Sequence, residues 1–214
     1  MQDASQASEI AQALDMYCVD ATPWSIDGIG LGNAVLSRWP IQDAYSRLLP
    51  LAASGEQRLV LVTKICTSAG PISVLSTHLD WREEDLAVRL EQARVVFREA
   101  LGLLDERTPT IICADFNAES DSEVLAEAQG PDHLFRDAWR EARGDSLDGA
   151  TWDLVNPHAG RDCWPSRRID FILVGSTDRK LEVQSARLFG DAPIDGIWPS
   201  DHNGVSVDLA IPSM

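Results

Sequence analysis

Asp115 and Asn117 stand one residue apart in "TIICADFNAESDSE", residues 110–123, just where an apolar run stops. Residues two apart in a strand point to the same side. A carboxylate and a carboxamide at that spacing can aim their oxygens at one point, at the mouth of a buried strand. Asp and Asn are also turn formers, so the pair reads equally as a strand that ends in a turn. Other strand-like runs end in the same way. "VLSTHLDW" places His78 directly after an apolar run, and "RRIDFILV" sets Asp170 between Ile169 and Phe171. "WPSDHNGVSVDL" puts Asp201 and His202 just before the last run.

A carboxylate within an apolar run is costly unless it is paired or binds a metal. Asp170 therefore calls for a partner. His78 and His202 are candidates, and so are its neighbours Arg167 and Arg168. Asp201, after Pro199 and Ser200, also reads as a turn residue. His133 and His158 lie in loops without such a setting. The set as a whole offers an Asp/Asn pair, two histidines, an Asp to orient one of them and a second Asp beside it. Hard oxygen ligands of this kind suit Mg2+ or Mn2+ rather than zinc. The chemistry they fit is attack by water on a phosphoester. A metal polarises the phosphate, a carboxylate takes the proton of water, and a histidine steadies the developing charge.

The chain that must position these groups has 214 residues, 44% hydrophobic and 24% charged, which fits one soluble α/β domain spanning 1–214. No apolar run approaches the roughly 18 residues that cross a bilayer. The N-terminal "MQDASQASEIAQ" lacks the basic and apolar regions of a signal peptide. Cys18, Cys66, Cys113 and Cys163 show no metal-finger spacing, and a reducing, cytoplasmic setting is the expectation. With 18 basic residues against 34 acidic ones, the net charge is −16. Broad gripping of duplex DNA through many phosphate contacts is therefore disfavoured. A few arginines and a metal can still hold a single phosphate.

"RLVLVTKIC" and "PISVLSTHL", separated by "TSAG", read as a hairpin. "WREEDLAVRLEQARVVFREALGLLDE" reads as a long helix with Leu86, Leu90, Ala93, Phe97, Leu101 and Leu104 on one face. "SQASEIAQALDM" puts Ile10 and Leu14 at helical spacing, and "SEVLAEA" gives another short helix. "GNAVLSRWPI" reads as a short strand, and "RRIDFILVG", "LEVQSARLF" and "NGVSVDLAI" close the chain as strands. A long helix between strands suggests a β-sheet core covered by helices.

Taken in order, "GNAVLSRWPI", "STHLDW", "ICADFNAESD", "RRIDFILV" and "WPSDHNGV" resemble the motifs of the endonuclease/exonuclease/phosphatase superfamily, the deoxyribonuclease I-like, metal-dependent phosphoesterases. The resemblance runs from about residue 5 to the C-terminus. It implies a four-layer α/β/β/α sandwich of two packed mixed sheets. It also implies roles: Asp115 orients or deprotonates the attacking water, and Asn117 helps to hold the water or the phosphate. His78 would contact phosphate oxygens, and Asp170 would orient His202 as the transition-state stabiliser. Asp115, Asn117 and Asp201 would serve the metal, Mg2+ or Mn2+, and Asn33 would face the substrate.

The family's usual first strands, with an Asn and a Gln-Glu motif that supplies a principal metal ligand, have no clear counterpart. The expectation is an N-terminally incomplete fold, with Met1-Gln2-Asp3 as a shortened remnant in the less favoured case. A catalytically silent domain that binds a partner is the competing reading. Substrate choice would lie in loops, and the candidate loops are residues 19–32 and 129–166. There Trp152 and Trp164, near Arg161, Arg167 and Arg168, can stack a ring and grip a phosphate. Trp152 can equally serve as packing. The expected substrate is a small phosphodiester, a nucleotide end or a phospholipid headgroup.

Overall fold

The computed structural model describes residues 5–104, 108–144, 149–160, 164–175 and 181–211. Helix α1 (Gln6–Leu14) leads into a hairpin of β1 (Tyr17–Ile26) and β2 (Ile29–Ser37). Strands β3 (Ile41–Leu48), β4 (Leu59–Thr67) and β5 (Gly70–His78) follow as an antiparallel meander. Helix α2 (Leu86–Leu103) carries the chain over to β6 (Thr110–Asp115), which pairs parallel with β5. A parallel partner requires such a crossover, since a tight turn cannot bring the chain back in the same direction. Next come α3 (Glu123–Gln129), the short β7 (Phe135–Asp137) and α4 (Ala138–Arg143). Strand β8 (Asp170–Gly175) returns antiparallel to β6, and β9 (Glu182–Phe189) pairs with β10 (Gly204–Ala210) as a closing hairpin.

The central sheet has six strands in the order β3-β4-β5-β6-β8-β7. Alternation along the strands sends Val60, Val62, Leu75, Ile112, Phe171 and Leu173 to one face, against Ala93, Val96 and Ala100 of α2 and Val124, Leu125 and Ala128 of α3. The opposite face splits in two. Leu59, Leu61 and Ile65 pack on Val19, Ala21 and Val35 of the first hairpin. Val174, Ile111 and Ile172 pack on Val183, Val207 and Leu209 of the last one. Val74 and Ile111 are register partners across β5 and β6, so both hairpins lie on the same side. The α/β class with mixed strand pairing is as expected. The second layer, however, is two separate two-stranded sheets, β1-β2 and β10-β9.

Three expectations need correcting. Residues 19–32 are not a loop: they form most of the β1–β2 hairpin, turned by Asp27 (φ 51°) and Gly28 (φ 82°). An Asp-Gly pair with both residues at positive φ gives the turn whose twist matches its flanking strands. On α2, Leu90, Ala93, Phe97 and Leu104 pack on the core as expected, but Leu86 and Leu101 are exposed, and Arg89, Gln92, Val96 and Ala100 are buried instead. Polar Arg89 and Gln92 turn inward because they bond carbonyl and amide groups of the loops beneath. On α1, Ile10 and Leu14 are exposed and Ala11 is the buried residue.

The β6-β8-β7 register is locked at its far end by Gly175, opposite both Thr110 and Phe135. A Cβ on Gly175 would lie 2.3 Å from the ring of Phe135, itself wholly buried. Gly175→Ala should cost about 1–3 kcal/mol through overpacking. Urea unfolding of the variant checks this, and an unchanged midpoint would mean that the register tolerates a side chain there.

Candidate active site

Strand register builds the site. The parallel β5–β6 ladder sets His78 beside Asp115, and the antiparallel β6–β8 ladder sets Asp115 opposite Asp170. Three chemical groups thus stand abreast on three adjacent strands, at one rim of the sheet. His78 Nε2 lies 3.3 Å from Asp115 Oδ2. Asn117 follows at φ 48°, donating its backbone N–H to Asp115 Oδ1 at 2.8 Å and its amide Nδ2 to Leu79 O at 3.1 Å. That left-handed turn, which Asn tolerates better than most residues, folds the carboxamide back beside the strand end.

His202 enters from the loop before β10. Its Nδ1 lies 2.8 Å from Asp170 Oδ2, and its Nε2 faces Asp115 Oδ2 at 4.0 Å. The loop is tied down from behind. Asn203 donates its backbone N–H to Thr151 O at 2.7 Å and its side chain to Ala150 O at 3.0 Å. The Thr151 hydroxyl in turn accepts the amides of Ile169 and Asp170. Trp152 meets the His202 ring edge-on at 5.1 Å, and Arg167 stacks over Trp164 at 4.1 Å. These residues close a pocket of about 210 Å3, walled by Trp81, Trp152, Trp164 and Ile169 and floored by His78, Asp115, Asn117 and His202. A hollow of about 270 Å3 elsewhere, along Asp43, Tyr45 and Lys64, contains none of these groups.

Burial and the facing Asp170 charge push Asp115 up from 3.8 to about 7, against the opposing pull of His202 and Arg58. Burial, with Arg58 and His202 nearby, pushes His78 down to about 3. Its side chain keeps 41% of its surface open to water, yet the neutral ring is the form at pH 7 on either count. Burial works against a charged His202, but the hydrogen bond and charge of Asp170, with Asp115 and Asp201 behind them, outweigh it and raise its pKa. The pocket therefore separates two histidines, one held neutral and one inclined to carry a proton.

His78, Asp115, Asn117, Asp170, His202, Trp152 and Trp164 come together here. Three other expected residues stand apart. Arg168 gives its guanidinium to Asp137 at 2.7 Å and lies over the Phe171 ring at 4.2 Å. Asn33 reaches Ser76 Oγ at 3.5 Å, within the β2–β5 contact. Asp201 is exposed and accepts from the Ser200 hydroxyl at 3.2 Å. Arg161, Cys163 and the Met1-Gln2-Asp3 segment lie outside the described residues. Sequence reasoning missed Trp81 and Arg58. Trp81 was legible as an aromatic three residues beyond His78. Arg58 was legible only through the β4–β5 hairpin, whose ladder sets Val60 beside Thr77 and so brings the start of β4 near His78.

The chain matches the profile of the Endonuclease/Exonuclease/phosphatase family over residues 3–202. The chain belongs to that family. Tyrosyl-DNA phosphodiesterase 2 of Rattus norvegicus is 26% identical over 179 residues, covering 83% of this chain and 48% of that protein. The chain thus spans about half the length of the curated relatives it matches. The crystal structure of D. rerio TDP2 with a single-strand DNA product superposes with a TM-score of 0.77 at 21% identity, over 94% of this chain and 80% of that one. A mannosyl-6-phosphatase of Bacteroides thetaiotaomicron gives 0.74 at 17% identity, over 96% and 81%. Both share the deoxyribonuclease I-like fold of the endonuclease/exonuclease/phosphatase proteins.

A divalent cation fits this rim. Asp115, Asp170 and His202 each offer a ligand atom, all within 4.8 Å of one another. This set differs from the expected Asp115, Asn117 and Asp201. Strand register places the Asp170 carboxylate opposite Asp115, while Asp201 lies exposed beside His202.

Between pH 3.8 and about 7 the folded chain binds a proton at Asp115 that the unfolded chain has lost. The contribution of Asp115 to stability therefore falls as pH rises through that window and is flat above it. Asp115→Asn removes the charge and keeps an acceptor for the Asn117 amide. In metal-free buffer the variant should gain on the parent as pH rises, reaching about 2–4 kcal/mol at pH 8. Urea unfolding at pH 4 and pH 8 measures this, and a gain confined to pH 4 would contradict a raised carboxylate.

Proposed function

We propose that the chain is a metal-dependent phosphoesterase, hydrolysing a phosphodiester or phosphomonoester by in-line attack of water. One observation carries this reading: the Asp115 carboxylate stands between two histidines, and the one nearer the rim loop is oriented by Asp170. Before a cation binds, Asp115 has a pKa near 7, is ionised in part at neutral pH and is placed to accept a proton from water. Asn117, pinned to Asp115 and to Leu79, holds the water or a phosphate oxygen beside it. Asp170 fixes the His202 ring through Nδ1, so that Nε2 faces the pocket. A proton on Nε2 then meets the charge that develops on the phosphate oxygens, and the Asp170 charge stabilises the imidazolium. Neutral His78 supplies a further N–H at low cost in desolvation. Held by the Asp115 and Asp170 carboxylates, with His202 Nε2 left to carry its proton, Mg2+ or Mn2+ would polarise the phosphate and lower the pKa of water.

The small pocket and the net charge of −16 favour a substrate gripped at one phosphate. Three indoles and the Trp164–Arg167 stack suit a small phosphodiester or nucleotide end that carries a ring. A phospholipid headgroup also needs only one phosphate site. The name of the curated relative, a tyrosyl-DNA phosphodiesterase, agrees with action on a phosphodiester.

His202→Ala should lower turnover at least ~10²-fold, the scale for removing a transition-state stabiliser, while leaving the circular dichroism spectrum intact. Near-parental turnover would take His202 out of the chemistry. At low salt, where nuclease binding is most favoured, a small chromogenic phosphoester should be cleaved at least as readily as plasmid DNA. Rapid plasmid degradation without turnover of small esters would overturn the substrate reading.

A further inference from the structure

The segment Leu79–Arg82 has the site on one side and helix α2 on the other. Toward the site, the Leu79 amide donates to Asp115 O at 2.9 Å and the Leu79 carbonyl accepts Asn117 Nδ2 at 3.1 Å. The segment begins beside His78 and carries Trp81 to the pocket wall. Toward the helix, it is held by two residues that no apolar pattern singles out. Gln92 is wholly buried, and its Oε1 accepts the Asp80 amide at 2.9 Å while its Nε2 donates to Pro50 O at 2.8 Å. Arg89, 8% exposed, donates Nη1 to Asp80 O at 3.1 Å and to Arg82 O at 2.8 Å.

We propose that Gln92 and Arg89 are positioning residues, which set His78, Asn117 and Trp81 in the pocket by clamping the 79–82 backbone to α2. A polar pair in the middle of a core-facing helix face needs such a reason, because burying polar groups is costly unless each is bonded. An apolar side chain at position 92 would fill the same space without holding the Asp80 amide. Asp80 itself, with no exposed surface, folds its Oδ1 onto the Arg82 amide at 3.0 Å, so the segment is a stiff turn and small displacements pass along it. Displacements well under an ångström matter where a group must meet a transition state.

This inference rests on the phosphoesterase reading for its kinetic arm and on exchange and resonance measurements for its structural arm, so the two can fail separately. The full chain is compared with Gln92→Met, of similar length, at a temperature where both are folded by circular dichroism. Amide exchange at Leu79 and Asp80 should quicken at least ~10-fold, while β4 amides stay within about two-fold. The His78 ring and Asn117 side-chain resonances should shift. With a p-nitrophenyl phosphoester, kcat should fall ~10-fold or more and KM change less than about three-fold. Arg89→Lys, which keeps the charge and loses the planar fork, gives the same readouts if Gln92→Met does not fold. Unchanged exchange at Leu79 and Asp80, or faster exchange with unmoved His78 and Asn117 resonances, overturns the proposal. So does parental kcat in a variant with lost protection. A parent chain without turnover would sink the hydrolase reading, and the exchange and resonance data would still decide the clamp.

Discussion

Two carboxylates face each other across a strand pair, Asp115 on β6 and Asp170 on β8, and the rest of the site follows from that arrangement. Burial raises the pKa of Asp115, and the facing Asp170 charge raises it further. The arrangement is costly for an ordinary sheet. It is relieved by His202 bonded to Asp170, by the Asn117 amide on Asp115, and by any cation that Asp115 and Asp170 hold together. Folding energy from the apolar faces behind, with Ile112, Phe171 and Leu173 fully or nearly buried, keeps the two strands in register against that repulsion.

Much of this was legible in the sequence, and for a physical reason. A polar residue inside or directly after an apolar run is rare unless it is satisfied, so His78, Asp115, Asn117, Asp170 and His202 each stood out against their neighbours. Strand periodicity gave β4, β5, β6 and β8 for the same reason. The register that makes the five converge was not legible, since pairing between distant strands leaves no local mark. Asp115 and Asp170 show this best, set opposite each other on strands that lie far apart in the chain.

The misreadings have one cause. Helix α2 was assigned an apolar face that included Leu86 and Leu101, which are exposed, while Arg89 and Gln92 turn inward because loop backbone groups below the helix need partners. Arg168 was assigned to the substrate for its charge, although a closer carboxylate, Asp137, takes it. In each case residue type suggested a role, and the nearest partner in space determined another. The −16 charge is a global property of the chain and depends on no such geometry.

The central claim is that Asp115 is a raised carboxylate poised to take a proton from water and to help hold a divalent cation. It is tested most directly by following the Asp115 side-chain carboxyl carbon by nuclear magnetic resonance across pH, in metal-free buffer and again with Mg2+. The account predicts a metal-free midpoint near the value of about 7 that burial and Asp170 impose, and a clear downward move when Mg2+ is added. A midpoint in the ordinary carboxylate range, unmoved by Mg2+, would contradict it.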